Sequence, residues 1–304
     1  MSAEGGVDGA RTSNWGRWGA DDERGALNLV TPDRTMDGIR ACRTGKAYSL
    51  AYPLQREGVP IVPYRGAPQR LSLMNQADPG QFDAWGGGPG MGANEDVLVV
   101  PSHSVTHMDA LCHVYDEGQI YNGFPADSFR TYDGAGKCGI DKVGAVAARS
   151  VLLDLPGHLG VPWLEPGHTI TGAELEACAQ HEDVAIHPGD ALLIRTGYMT
   201  YWFAQSGEAP GFAQPGVGLD AVDYIRDHDV AIVGADNSAV EVVPFDTHYM
   251  SGHLTLLVQL GIHLLEHVRL DALAADRVYE GLFVVGPLNV TGASGSPVNP
   301  VVIG

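Results

Sequence analysis

The clearest signal along the chain is a series of short apolar runs rich in Val, Ile and Leu. SVLLDLP (Ser150 to Pro156), DALLIRTG (Asp190 to Gly197), VAIVGAD (Val230 to Asp236) and YEGLFVVGPLNV (Tyr279 to Val290) are short and lack the alternation of a half-exposed strand. They predict interior strands buried on both faces. DVLVVP (Asp96 to Pro101) predicts another. Between the runs the pattern turns helical over residues 32–43, 171–181, 219–228 and 252–268. The first helix opens on Thr31-Pro32 and the second on Thr171, residue types that cap and start helices. Residues 47–62 read as extended, and the Gly-rich stretch 67–93, containing WGGGPGMG, reads as a long loop suited to a lid. Strands alternating with helices predict an α/β fold. Without a repeat or a linker, residues 1–304 are expected to form one domain, with a loose polar arm over about the first 15 residues.

Charge narrows the partners. Acidic residues outnumber basic ones 37 to 18, giving a formal net charge of −19. No basic excess exists to neutralise phosphates, so neither a nucleic acid nor an anionic membrane surface is expected as a partner. A small-molecule substrate is. Surplus carboxylates also suit a divalent cation. The four cysteines form no Cys-x-x-Cys pair, which argues against a disulfide scaffold and a thiolate zinc site. The opening MSAEGGVDGARTS lacks the apolar core of a secretory leader, and LTLLVQLGIHLLEHV is broken by polar residues, so a cytoplasmic location is expected.

The candidate chemistry lies in His103-Ser-Val-Thr-His107-Met-Asp109-Ala-Leu-Cys-His113. Imidazole and carboxylate together suit zinc, manganese or iron(II). On a strand His103 and His107 would stand roughly 13 Å apart. On a helix the pair aligns, but Asp109 points elsewhere. A strand ending in a bend around a cation satisfies all three. His113 is near enough in sequence to serve as general base and acid, its ordinary pKa being close to neutral.

HSVTHMDALCH resembles the H-x-G-T-H-x-D-x-P-x-H signature of the cyclase family, which includes bacterial kynurenine formamidase and isatin hydrolase. WGADDERGALNLVTP, DALLIRTGY, VGADNSAVEVVP and GPLNVTGASGSPVNPVVI are similar to its longer-chain branch, so the resemblance spans nearly the whole sequence. It implies a swivelling β/β/α fold, metal ligation by His103, His107 and Asp109, and an acid–base role for His113. It also implies a divalent metal, Mn2+ or Zn2+, with one ion expected rather than two, and a homodimer or larger homo-oligomer. Binuclear formamidases add a histidine and a glutamate, and His253 and Glu266 lie where those would fall. Val105 and Leu111 replace the motif glycine and proline. Val resists positive φ, so the bend is expected to differ, and the formamidase substrate is not carried over.

These residues predict a metal-dependent hydrolase of an amide-type C–N bond in a small cyclic or N-acyl compound. A lactonase or a metal-dependent cyclase/dehydratase is the alternative, and a metal-binding module without turnover is the rival of another class. Weaker candidates remain open. His253 and Glu266 are thirteen residues apart and would sit on different faces of one helix, while His263 and His267 read as helix surface. Cys112 reads as a core residue. Asp236 and Ser238 close a strand, as does Arg195; each is a pocket candidate, against capping for the first two and ion pairing for Arg195. Glu241 is a weaker candidate of the same kind. Trp85, Tyr121 and Phe124 are candidates for an aromatic pocket wall, against ordinary packing. Trp15 and Trp18 are candidate interface residues.

Overall fold

The structure is a computed structural model describing residues 12–78, 80–88, 90–205 and 211–304. In chain order its strands of three or more residues are β1 (Ala47–Ser49), β2 (Gln69–Met74), β3 (Glu95–Val99), β4 (His107–Asp109), β5 (Val146–Asp154) and β6 (Ala191–Arg195). There follow β7 (Ile232–Ala235), β8 (His263–Glu266), β9 (Glu280–Val285), β10 (Gly295–Pro297) and β11 (Val301–Ile303). All but β2 and β3 join one nine-stranded sheet in the order β1-β11-β9-β5-β6-β7-β8-β4-β10. The four central strands, β5 to β8, run parallel, and antiparallel strands flank them on both sides.

The Val/Ile/Leu runs account for that centre. Leu192, Leu193 and Ile194 of β6 and Ile232 and Val233 of β7 are fully buried, as strands covered on both faces require. Helices α1 (Pro32–Ala41), α2 (Gly172–His181) and α3 (Leu219–Asp227) match three predicted segments. Thr171 and Glu174 form a reciprocal capping box at the start of α2. The layout is the mixed α/β architecture that the resemblance implies.

Three expectations are corrected. The helix expected over residues 252–268 is a short turn, Ser251–His253, followed by a wide turn, Leu254–Gln259, and then strand β8. Gly261 ends the helical part: its φ is +64, and an added Cβ would come within 2.5 Å of the Tyr121 ring. His263 is therefore a buried strand residue, and His267 a buried residue just beyond the strand, not helix surface. The buried strand expected at residues 96–101 is instead β3, exposed along its length and paired only with β2. The stretch 67–93 is not loop throughout, since it carries β2 and a helical turn, Gly80–Ala84.

Of the expected loose arm, residues 1–11 lie outside the described residues. Asn14, by contrast, is buried, and its side-chain amide donates to the Leu260 carbonyl at 2.7 Å. Trp15 and Trp18 are part-buried and pack on their own core, and the Trp15 indole N–H donates to the Val258 carbonyl. Among the described residues no helix is long and apolar enough to cross a membrane.

Candidate active site

The motif is a turn that leads into a strand, the reverse of the expected order. Val105 sits in the turn at φ 50, so the bend forms with a β-branched residue in a region that ordinarily costs on the order of 1–3 kcal/mol. Two anchors hold it. The Val105 carbonyl accepts from His107 Nδ1 at 2.7 Å, and the Thr106 hydroxyl donates to the His267 carbonyl at 2.6 Å. Strand β4 then places His107 and Asp109, two residues apart, on one face, while Met108 enters the core from the other. Register adds the next ligand candidate, because Glu266 of β8 stands directly opposite His107. On the other side Gly295 stands opposite Asp109, and a Cβ there would come within 2.7 Å of the His103 ring.

Five side chains converge. His103 Nδ1 lies 2.7 Å from Asp109 Oδ1, and His107 Nε2 lies 3.4 Å from the same oxygen. Glu266 spans the other side, its Oε2 being 3.1 Å from His107 Nε2 and its Oε1 3.3 Å from His253 Nε2. His253 Nε2 lies 3.9 Å from Asp109 Oδ2. Two triads with metal-ligand spacing result, His103/His107/Asp109 and Asp109/His253/Glu266, and they share Asp109. Outside the cluster, both oxygens of the Glu241 carboxylate hold the His253 segment. They accept the backbone N–H of Gly252 at 2.7 Å and of His253 at 3.0 Å, and His253 Nδ1 donates to Glu241 Oε1.

The cluster has the electrostatics of a cation site. His107 Nε2 and Asp109 Oδ2 are fully buried and make no hydrogen bond. Because His107 Nδ1 donates to Val105, a neutral His107 turns a lone pair toward the Glu266 carboxylate at Nε2. That contact is repulsive unless a proton or a metal lies between the two. Burial pulls the His107 pKa down, but Glu266 and Asp109 together hold it above its ordinary value. Burial would likewise raise Asp109 and Glu266, yet the surrounding imidazoles keep Asp109 well below the usual range and Glu266 at about 2. His253, opposed by burial, is lifted to about 10 by Glu241 and Glu266. The residues present fit a divalent ion, with nitrogen and oxygen donors, two of them buried and unpaired, and two carboxylates to offset its charge.

His113 belongs to neither ligand triad but stacks on His103, with ring centroids 3.8 Å apart, and its ring lies 6.5 Å from that of His253. Burial lowers its pKa to about 4, against the pull of Asp109, so its ring is neutral near pH 7. A cavity of about 330 Å³ opens over His103, His107, His113, His253 and Glu266. A wider cleft of about 950 Å³ lies beyond the His103–His113 stack.

Of the pocket candidates, Ser238 lines the first cavity, where its hydroxyl and backbone N–H are held by Gln214. The others lie elsewhere. Asp236 accepts three hydrogen bonds from Thr196 and Gly197, tying the end of β6 to that of β7. Arg195 is held between Asp154 at 2.7 Å and Asp271 at 3.1 Å. Tyr121 is a core residue whose hydroxyl donates to Asp22, and Phe124 packs on the core beneath Lys137. Trp85 is 69% exposed and packs edge-on against Phe82. Cys112 faces the core, its thiol pushed up to about 12 by burial. The cavity also contains Arg65 and His267, which sequence reasoning had not placed there; isolated residues of these types carry no local pattern that would single them out.

The model of the Cyclase family matches residues 48–242. No curated protein matches the chain in sequence. Among solved structures, one titled as a novel cyclase is 34% identical, with a TM-score of 0.86 over 96% of this chain and 98% of that one. Isatin hydrolase A from Labrenzia aggregata, bound to benzyl benzoate, is 19% identical, with a TM-score of 0.60 over 90% of this chain and 99% of that one. A structure titled as a predicted metal-dependent hydrolase from Bacillus stearothermophilus is 22% identical, with a TM-score of 0.51 over 84% of this chain and 97% of that one. The last two share the fold. With the family model covering more than half of its residues, the chain belongs to the Cyclase family.

Proposed function

We propose that the protein is a metal-dependent hydrolase of an amide-type C–N bond in a small cyclic or N-acyl compound. The carrying observation is the pair of buried, unpaired donor atoms, His107 Nε2 and Asp109 Oδ2, inside a cluster of three imidazoles and two carboxylates. His103, His107 and Asp109 would hold a divalent ion, Mn2+ or Zn2+, with His253 and Glu266 completing the shell across Asp109. When bound, such an ion polarises a carbonyl oxygen and lowers the pKa of a water toward about 7.

The remaining work falls to the chain. His113, neutral and beside the cluster, accepts a proton from the attacking water at a ring nitrogen and returns it to the departing nitrogen. Glu241 orients His253 by accepting a hydrogen bond from its Nδ1–H, which leaves Nε2 toward Asp109 and Glu266. The apolar cavity wall limits water around the reacting bond.

Isatin hydrolases act on a cyclic amide, which makes isatin the first substrate to try, followed by N-formyl aromatic amines and aromatic lactones. With metal-replete protein in a pH-stat, one equivalent of acid should appear for each amide consumed. Consumption without acid release would point to a dehydratase, and turnover of lactones alone to a lactonase. If the metal-loaded protein consumes none of these, the hydrolase reading fails.

A further inference from the structure

We infer that Arg65 and His267 form a subsite for a carboxylate carried by the substrate, beside the cluster of five. The inference deepens the hydrolase reading and rests on it for the neighbouring reaction.

Arg65 is the only Lys or Arg among the residues lining the 330 Å³ cavity, and it borders the wider cleft as well. Its Nη1 donates to the His103 carbonyl at 3.0 Å, which fixes the guanidinium beside the backbone of a candidate ligand. Its guanidinium carbon lies 5.5 Å from the centre of the Tyr64 ring. Among the described residues that carbonyl is the guanidinium's only hydrogen-bond partner, and no carboxylate pairs with it. Two arginines elsewhere, one buried and one part-buried, differ sharply. Arg149 is gripped by Asp190 and Glu280, and Arg195 by Asp154 and Asp271. In a chain with 37 acidic residues, a half-buried guanidinium that lines a cavity and pairs with no carboxylate of its own is suited to an external acid.

His267 supplies the second, independent observation. It is 4% exposed and lines the same cavity, and its Nδ1 has no partner. An unpartnered buried polar atom is costly and uncommon. The ring is held there at a price in backbone conformation: φ is 49, with the N–H donating to the Asn237 carbonyl at 2.8 Å and the carbonyl accepting from Thr106. A carboxylate satisfies both groups, one oxygen taking the guanidinium and the other an imidazole N–H. Ile61, Val62, Val243, Phe245 and Met250 offer an apolar wall for the ring that carries it. The substrate class is thus a small aromatic or cyclic amide that already bears an acid group before hydrolysis.

Equilibrium titration of metal-replete protein with benzoate and benzamide, which differ in charge and little in shape, tests the subsite. Benzoate should bind at least about tenfold more tightly. Arg65→Gln should abolish that preference while leaving benzamide unchanged, and Arg65→Lys should restore part of it. The subsite is overturned if Arg65→Gln weakens both ligands equally. It is also overturned if His107→Ala abolishes benzoate binding while Arg65→Gln spares it, because the metal centre would then be the anion's partner. A kinetic arm separates the two readings. Arg65→Gln should raise KM for N-formylanthranilate and not for N-formylaniline, with kcat little changed. If neither compound turns over but the benzoate preference depends on Arg65, the subsite stands and the hydrolase reading falls.

Discussion

Strands β3 and β4 lie within a dozen residues of each other, and their environments are inverted relative to their composition. β3, EDVLV, carries Val97, Leu98 and Val99, all exposed, with Leu98 at 61%. β4, HMD, carries an imidazole and a carboxylate, yet its three residues are buried. Hydropathy alone would exchange them. What differs is the neighbours. β4 lies between β8 and β10 in the main sheet, and each of its polar groups faces a group of opposite character. Among the described residues β3 pairs only with β2, and all five of its residues stay exposed. Burial of a lone carboxylate costs several kcal/mol, so the β4 cluster can exist only as a paired network, completed in our reading by a cation. The lesson is that charge inside this fold is tolerated where partners converge, and apolarity outside it persists where no partner is supplied.

The contrast can be broken first at the site. His113→Gln is expected to lower turnover by about 10²–10⁴-fold while metal content stays unchanged, read by steady-state kinetics alongside metal analysis. Loss of metal in that variant would move His113 from acid–base catalysis into the ligand shell. A smaller effect is expected one layer out. Glu241→Gln should weaken metal affinity by about 10–100-fold, measured by chelator competition, since it loosens the hold on His253.

Glu182 sharpens the same comparison away from the site, as a half-buried carboxylate without a cationic partner. Its Oε1 accepts the Asp154 N–H, but its Oε2 has no partner, and burial raises its pKa from 4.5 to about 7. Below pH 4.5 both folded and unfolded chains hold this proton. Between 4.5 and 7 only the folded chain does, so stability falls as pH rises through that window. Glu182→Gln should flatten the dependence and gain about 1 kcal/mol at pH 8, the full shift being discounted for solvent screening. Urea titrations at pH 4 and 8 would show it, and an unchanged difference between the two pH values would contradict it. The smallest effect belongs to the hairpin. Leu98→Thr should change stability by no more than about 0.5 kcal/mol and leave turnover intact.

The central strands and three helices were legible because Val/Ile/Leu runs and Thr caps act locally. The Cyclase motif was legible too, since its ligand candidates crowd into seven residues, His103 to Asp109. Strand β8 was not. LTLLVQLGIHLLEHV carries a helical apolar period, and the break at Gly261 is imposed by Tyr121, a contact 140 residues distant in sequence. That break decides the site, because it turns Glu266 to face His107 across a strand pair and buries His263 and His267. The positive φ at Val105 was equally hidden: the side chain argues against the bend, and the anchors at His107 and Thr106 outweigh it. Tyr121, Phe124, Asp236 and Arg195 were ambiguous for a different reason, since packing and ion pairing use the same residue types as pockets do.

In our reading the buried donors of His107 and Asp109 hold a divalent cation. Elemental analysis of the protein, purified without chelators and then exposed to Mn2+ or Zn2+ and desalted, tests it most directly. At least one ion per chain is expected in the native protein, and its loss in His107→Ala of unchanged secondary structure. A native protein that retains neither metal, or a His107→Ala variant that keeps its full content, would contradict it.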